Sequence, residues 1–540
     1  MGWSKCKIII CLIMIGPPAW SQVNRYMVFF KDKAGTNYST SAPIEFLSQR
    51  AIDRRIQQDI PVTPSDFPVN KNYIDAVKDA GASTFFSTRW MNGVLVQCEM
   101  SIIPAIEALT YVERVEFVAP NERLLSGGRK RAEMKTKEIK TASSTQFQLQ
   151  MIGLDEMHNA GHRGNDVIIG VFDGGFEGVD TAQPFQHIFD DARMNLTVST
   201  DFVRNTNDVF QYDDHGTQVF SVIAAFQEGL FTGGSYEAEY QLYVTEDVSS
   251  EYRIEEYNWL FAAERADSAG VDVVNSSLGY YDFNDSNMNY TQSAMDGKTT
   301  VASKAAQMLA DRGVIVVCSA GNEGNIAWKL ITAPADAKDV LAVANVNSAG
   351  LRAGSSSIGP AADGRTKPDV AALGVNTSVV KPSGGLGSAS GTSLASPLVA
   401  SLAAGLRQRY PNLTNIEIIE AIRKSSSQSA SPDNLLGFGI PNFTAVVNYI
   451  EQSHQEDVFE VYPNPVTKDS ITISPFDPSL VRSCKVEVLT SQGQTVYEAS
   501  VNFSWANRTH TSYVTSLPSG IYFMRISWGD KRFTYRVVKV

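Results

Sequence analysis

The chain has 540 residues, of which 43% are apolar, so it is long enough to bury the cores of about three or four folded units. Its formal net charge of -12 at pH 7 argues against a nucleic-acid binder, because such proteins present a concentrated basic face. Five cysteines in a chain of this length imply no disulfide framework. Composition thus excludes some partners but names no substrate.

The first 21 residues have the pattern of a secretory signal peptide. Lys5 and Lys7 precede the apolar run 8–15, and the small residues Ala19 and Ser21 follow it. The competing interpretation is a membrane anchor, but the run is shorter than the roughly 20 apolar residues that a span requires. We therefore predict export and no transmembrane span.

Short strand and helix patterns alternate between residues 25 and 120. They predict strands at 26–30, 93–98 and 112–118 and helices at 44–56, 73–80 and 103–109. This order is typical of a small α+β domain with an antiparallel sheet. A basic stretch and a Lys- and Thr-rich run follow, and we interpret 126–145 as an exposed linker in which the chain is cut.

Residues 391–397 surround one hydroxyl, that of Ser393, with small side chains. Apolar residues then recur at helical spacing, which places Ser393 at a helix N-terminus. There the unbonded backbone amides and the helix dipole favour an anion beside the hydroxyl. Pro397 removes the amide that would bond the Ser393 carbonyl and so loosens the first turn. The alternative interpretation is an ordinary capped helix with a small-residue face.

A serine nucleophile needs a positioned base, normally a histidine held by a carboxylate. His215, one of six histidines, leads through Gly216 and Thr217 into an apolar helical run. Asp173 ends the buried strand pattern 167–173, and groups at the carboxyl ends of parallel strands line the ligand crevice. An aspartate before two glycines is also compatible with an ordinary turn.

A further strand pattern at 314–319 ends in a turn that presents Asn322. An asparagine amide can donate to a developing oxyanion, although Ala-Gly-Asn is by itself typical of a turn. The order Asp173, His215, Asn322, Ser393 contains the Asp-His-Ser order established for subtilisin.

With these four motifs, residues 146–452 resemble the subtilisin-like serine proteases. The resemblance implies an α/β fold, with a subtilisin-like parallel sheet flanked by helices. It implies a catalytic triad and an oxyanion donor at the four positions just named. It further implies that Ser277, Leu278 and Gly279 pair with the substrate backbone and line the primary specificity pocket.

The motifs depart from the family pattern at two places. Gly174 stands where the family usually has Ser or Thr, and Gln218, Val219 and Phe220 stand where it usually has Val, Ala and Gly. Neither departure removes a catalytic atom, so both bear on rate more than on mechanism.

The resemblance implies no required cofactor. Members of the family often bind calcium, but we identify no ligand cluster in the sequence and assign no metal ligand. We interpret Asp282 and Asp285 as solvated loop residues.

The flanking segments resemble parts of exported proteases. Residues 22–125 resemble the inhibitory, chaperone-like propeptide of the family, with an unrelated accessory domain as the alternative. Residues 456–540 carry alternating strand patterns typical of a small β-sandwich. Their motifs at 462–465 and 517–522 and the basic end at Lys539 resemble the C-terminal sorting domain of type IX secretion in gram-negative bacteria. A carbohydrate-binding or adhesive module is the competing interpretation.

Together these features predict a secreted serine endopeptidase that forms an acyl-enzyme on Ser393. Its expected partners are protein or peptide substrates, its own propeptide as inhibitor and the type IX secretion machinery. We expect it at the cell surface or in the medium, reached through the periplasm. The alternative function is that of a catalytically inactive, subtilisin-like surface binding protein, and an esterase with the same triad is a minor variant.

Overall fold

A computed structural model describes residues 23–120, 137–138, 145–453, 458–467, 469–476, 481–504, 507–529 and 531–540. They fall into two compact units. The first contains the described residues of Met1–Thr36 and Val69–Leu125, and the second contains those of Asn37–Pro68 and Ser126–Val540. The predicted signal peptide and most of the predicted linker lie outside the described residues. Within those ranges, every helix is too short or too polar to cross a membrane.

The first unit is a four-stranded antiparallel sheet that shares an apolar core with two helices. The elements of residues 23–120 are β1 (Val23–Phe30), α1 (Gln49–Gln57), α2 (Lys71–Asp79), β2 (Ser83–Thr88), β3 (Gly93–Glu99), α3 (Ile103–Glu107) and β4 (Val112–Pro120). The strand order is β2-β3-β1-β4, and only α1 belongs to the second unit. The α+β prediction is therefore confirmed for this sheet.

The helix predicted at 44–56 is divided in the structure. A single helical turn covers Pro43–Glu45, and α1 begins afresh at Gln49. The reason is Ser48, whose side chain accepts a hydrogen bond from the amide of Ala51 and so caps a new helix.

The main part of the second unit follows the linker. Its elements are β5 (Lys137–Glu138), α4 (Gln146–Met151), α5 (Leu154–Asn159), β6 (Ile168–Asp173), α6 (Gln186–Asp190), β7 (Thr200–Asp201), α7 (His215–Ala224), β8 (Phe226–Gln227), β9 (Phe231–Thr232), β10 (Glu239–Val244), α8 (Ile254–Ala269), β11 (Val273–Ser276), α9 (Val301–Ala310), β12 (Ile315–Ser319), β13 (Val340–Val346), β14 (Val370–Leu373), β15 (Thr377–Val380), β16 (Leu386–Ala389), α10 (Thr392–Arg409), α11 (Asn415–Ser425) and α12 (Phe443–Ser453).

Seven parallel strands form the central sheet of this part, in the order β14-β13-β12-β11-β6-β10-β7. Every residue of β6, β11, β12 and β13 is buried, as expected for strands that are covered on both faces. The predicted parallel sheet flanked by helices is confirmed. Its buried strands also explain why these segments are continuous apolar runs.

The C-terminal strands form two antiparallel sheets around one apolar core. The strands are β17 (Phe459–Tyr462), β18 (Ser470–Pro475), β19 (Ser483–Thr490), β20 (Thr495–Asn502), β21 (His510–Tyr513), β22 (Gly520–Trp528) and β23 (Lys531–Lys539). Their orders are β17-β18-β21 and β20-β19-β22-β23. The two sheets and their shared core agree with the predicted β-sandwich.

Residues Asn37–Pro68, which we call the inserted segment, pack against the rest of the second unit through a buried ionic cluster. Two guanidinium groups of α1 reach the carboxylate of Asp267 in the last turn of α8. Arg54 Nη2 lies 2.6 Å from Asp267 Oδ1, and Arg55 Nη2 lies 2.8 Å from Oδ2. Asp66 adds bonds to Arg55 at 3.0 Å and to Arg312 at 2.9 Å. All five side chains are buried.

Candidate active site

The predicted site residues gather at one edge of the central sheet. β6 ends at Asp173, β11 ends just before Ser277, and β12 ends three residues before Asn322. Because neighbouring parallel strands point the same way, their carboxyl ends meet at one edge. α7 and α10 begin at that edge with His215 and, one residue into the helix, Ser393. All except Asp173 line one cleft of about 830 Å³.

His215 and Asp173 form a hydrogen-bonded pair. His215 Nδ1 lies 2.7 Å from Asp173 Oδ1, and the Asp173 side chain is fully buried. The same oxygen accepts the amide hydrogen of Gly174 at 2.8 Å. A carboxylate on Nδ1 fixes the imidazole tautomer, so that Nε2 is the nitrogen able to take up a proton.

Ser393 occupies the first turn of α10, where its amide hydrogen has no acceptor within the helix. Its Oγ donates to the carbonyl of Ser277 at 3.3 Å. Within the described ranges no hydrogen bond joins this hydroxyl to His215, although both side chains line the cleft. Pro397 lies inside the helix, as predicted. The Ser393 carbonyl, which Pro397 cannot bond, accepts instead from Ser277 Oγ at 2.9 Å.

Asn322 is oriented by the residue before Ser393. Its Oδ1 accepts from both the amide and the hydroxyl of Thr392, at 3.0 and 3.1 Å. Since the amide oxygen is engaged in this way, the Nδ2 group remains as the donor of the side chain. The side chain lines the same cleft as Ser393 and His215.

The segment of Ser277, Leu278 and Gly279 is fastened to α10. Ser396 Oγ donates to Asn275 Oδ1 at 2.7 Å, and Asn275 Nδ2 donates to Ser277 Oγ at 3.2 Å. At Gly279 an added Cβ would lie 2.3 Å from Thr332 Oγ1, so only glycine fits. These contacts hold one wall of the cleft in place relative to Ser393.

The two departures from the family pattern are accommodated in the structure. Gly174 contributes its amide to Asp173, a bond that needs no side chain. Phe220 is fully buried and stacks on Phe185 with ring centroids 5.5 Å apart, so it belongs to the core. Gln218 Nε2 donates to Asp214 Oδ2 at 2.9 Å.

Sequence reasoning missed the acidic side chains of the cleft. Six of them line it: Asp213, Asp214, Glu246, Asp247, Glu251 and Glu323. The signal for Glu246 is its position two residues after the end of β10, at the sheet edge where β6 ends with Asp173. The sequence patterns do not predict β10, so the strand-end argument does not extend to Glu246. Cys318 is buried in β12, and burial raises the pKa of its thiol.

This fold, with a serine on a helix N-terminus and a histidine–aspartate pair at the same sheet edge, defines a class of α/β serine proteases. The chain belongs to the subtilase family, whose profile matches residues 164–439. A propeptide profile of subtilases from Bacteroidota matches residues 25–138. The profile of a secretion system C-terminal sorting domain matches residues 460–540.

Individual proteins of known name are also similar to this chain in sequence or in structure. Subtilisin of Bacillus pumilus is 28% identical over 295 residues, which cover 54% of this chain and 94% of that protein. Subtilisin BL of Lederbergia lenta is 26% identical over 304 residues, or 56% of this chain and 99% of the relative. The crystal structure of the epidermin leader peptide processing serine protease of Staphylococcus aureus superposes with a TM-score of 0.54. The two chains are 16% identical, and the match covers 79% of this chain and 99% of the epidermin leader peptide protease. The two proteins therefore share a fold.

The chain is therefore a secreted serine endopeptidase with a propeptide and a type IX sorting domain. The sorting domain indicates export to the cell surface or the medium. The three resemblances predicted from the sequence are confirmed. The signal peptide stays a prediction, because it lies outside the described residues.

Proposed function

We propose that Ser393 is the nucleophile of this endopeptidase, His215 its general base and Asp173 the group that orients the histidine. The observation that carries the proposal is the 2.7 Å bond from His215 Nδ1 to the buried Asp173, beside the cleft that holds Ser393. His215 Nε2 would take the proton of Ser393 Oγ as this oxygen attacks a peptide carbonyl, and would then give it to the leaving amine. Asp173 would stabilise the imidazolium that forms between the two steps.

The oxyanion would be held by the Nδ2 group of Asn322 and the amide of Ser393. Support comes from the bonds of Thr392 to Asn322 Oδ1, which leave Nδ2 as the donor. The loss of one such donor typically lowers turnover by about 10² to 10³. Ser277, Leu278 and Gly279 would pair with the substrate backbone and form part of the specificity pocket. These side-chain and backbone groups supply the whole reaction, so no cofactor takes part in it.

The other parts of the chain would control when and where the protease acts. We propose a signal peptide at 1–21, a propeptide domain at 22–125, a processed linker at 126–145, a catalytic domain at 146–452 and a sorting domain at 456–540. The buried bonds of Arg54 and Arg55 to Asp267 support a tight association of the propeptide with the catalytic domain, as an inhibitory partner requires. The sorting domain would be the part that engages the type IX secretion machinery.

Labelling with a fluorophosphonate tests the assignment. The mature wild-type protein should gain one adduct on Ser393 and lose residues before about position 146, and Ser393→Ala should do neither. Ser390→Ala is the matched control: this exposed hydroxyl lines the same cleft but accepts the amide hydrogen of Asn376, and its removal should leave labelling intact. A folded wild-type protein that takes no label would contradict the proposal and favour an inactive surface binding protein.

A further inference from the structure

Three glutamate side chains that are not part of the proposed triad converge at the wall of the cleft. They are Glu246, Glu251 and Glu255, and one carboxylate oxygen from each lies within 4.8 Å of the others. Glu246 follows β10, Glu251 precedes α8, and Glu255 lies in the first turn of α8. Glu246 and Glu251 line the cleft, whereas Glu255 lies behind them and is only 1% exposed.

Glu255 is incompletely satisfied by the protein. Its Oε1 accepts the amide hydrogen of Asp247 at 3.0 Å. Its Oε2 is buried and receives no hydrogen bond from any described residue. A buried carboxylate oxygen without a donor or a cation is costly, because it has lost its hydration without replacement. This oxygen therefore points to a ligand that the chain itself does not supply.

The charges around Glu255 favour a cation. Glu255 is 1% exposed, and a carboxylate oxygen of each of the other two glutamates lies within 4.8 Å of one of its own. The N-terminus of α8 contributes only about half a positive charge, which cannot balance three carboxylates. The hydroxyl of Tyr280 donates to Glu246 and adds no charge. A bound cation would allow all three carboxylates to be ionised together.

The geometry suits calcium. Ca²⁺ binds oxygen ligands at about 2.3–2.6 Å, so two oxygens on one ion lie at most about 5 Å apart. The oxygens of the three glutamates fall within that limit. They come from a strand end, a loop and a helix, an irregular set that Ca²⁺ tolerates better than Mg²⁺, which needs a near-ideal octahedron. Because Glu251 is only partly buried, waters can complete the coordination.

We propose that Glu246, Glu251 and Glu255 bind a calcium ion in the wall of the active-site cleft. The ion would tie the end of β10 to the start of α8. Through Glu246 and the Tyr280 hydroxyl it would also support the segment that follows Gly279. Occupancy of the site would therefore stabilise the cleft wall.

Calcium titration of the full chain carrying Ser393→Ala tests the site. This background cannot use the proposed nucleophile, so the result does not depend on the proposed catalytic roles. After removal of divalent ions, isothermal titration calorimetry should detect one calcium ion fewer per chain when Glu251→Gln is added. The rise in Tm that calcium produces should be reduced in the same variant. The matched control Glu228→Gln removes an exposed glutamate elsewhere and should leave both quantities unchanged.

A second variant, Glu255→Gln, separates loss of the ion from misfolding. Because this carboxyl is buried among like charges, its amide form should keep or raise the Tm without calcium while the same ion is lost. Equal calcium stoichiometry and equal Tm shifts in the parent, Glu251→Gln and Glu255→Gln would overturn the proposal. Full replacement of calcium by magnesium at equal concentration would overturn the choice of ion.

Discussion

Helix α8 has a carboxylate cluster with a fully buried member at each end, and the two clusters are satisfied in opposite ways. At its C-terminal end Asp267 is bonded by Arg54 and Arg55, at 2.6 and 2.8 Å. At its N-terminal end Glu255 meets two further glutamates. The first cluster contains its own counter-charges, and the second assembles like charges.

The difference separates an internal contact from a ligand site. Opposite charges that are buried together need nothing further, so the cluster at Asp267 fixes the inserted segment to the catalytic domain. Like charges that are buried together must share protons or bind a cation. The cluster at Glu255 therefore responds to pH and to metal ions, and the other responds to the loss of a partner.

The largest expected effect follows from removing the shared carboxylate of the first cluster. Asp267→Ala leaves Arg54 and Arg55 buried side by side without their common partner. We expect the free energy of unfolding of the Ser393→Ala chain to fall by about 3–5 kcal/mol, as is typical when one member of a buried ion pair is removed. Chemical denaturation followed by tryptophan fluorescence measures it.

The control for this variant is Asp311→Ala, which removes an exposed carboxylate at the end of the neighbouring helix α9. It should change the free energy of unfolding by no more than about 0.5 kcal/mol. A loss below about 1 kcal/mol for Asp267→Ala would mean that the cluster does not hold the inserted segment.

The next effect concerns how the stability of the protein depends on pH, and it has opposite signs at Asp66 and at Glu255. Burial alone would raise the pKa of Asp66, but the guanidinium groups of Arg312 and Arg55 lower it to about 2. Its stabilising contribution is therefore present above the unfolded value of about 3.9 and is lost as the pH falls towards 2. Glu255 has a raised pKa, so its contribution is present below about pH 4.3 and is lost as the pH rises.

Thermal unfolding of Asp66→Asn and Glu255→Gln without divalent ions, each compared with the Ser393→Ala parent, measures these two slopes. The destabilisation caused by Asp66→Asn should vanish towards pH 2. The relative stability of Glu255→Gln should increase from about pH 4.3 upward, and added calcium should suppress that increase. The comparison of the two clusters would be contradicted if the stability difference between variant and parent changed with pH in the way expected for a lowered pKa in both variants, or for a raised pKa in both.

The smallest effect is expected at an ion pair on the surface. Arg409 in α10 and Glu451 in α12 lie 2.9 Å apart, but the glutamate side chain is 48% exposed. Water already solvates much of this charge, so Glu451→Gln should lower the free energy of unfolding by no more than about 1 kcal/mol. The same denaturation experiment measures it, and a loss as large as that of Asp267→Ala would show that burial is not what separates the two cases.

Local sequence patterns determined the elements of the sheet and the positions of the proposed catalytic groups. Buried parallel strands are continuous apolar runs, so the patterns ending at Asp173 and before Asn322 could be recognised without a structure. The place of Ser393 at a helix start followed from small residues and helical spacing in the same stretch. These features depend on neighbours along the chain, and the sequence contains that information directly.

Only the tertiary structure brought together groups that are far apart in the chain. Arg54 and Asp267 are separated by more than 200 residues, and neither position has a local pattern that names the other. The glutamate cluster was missed because β10 was not predicted, so that Glu246 had no assigned place. Its chemistry arises from distance and burial: three ordinary glutamates become a cation site only when the fold brings their oxygens within a few ångströms and removes water from one of them.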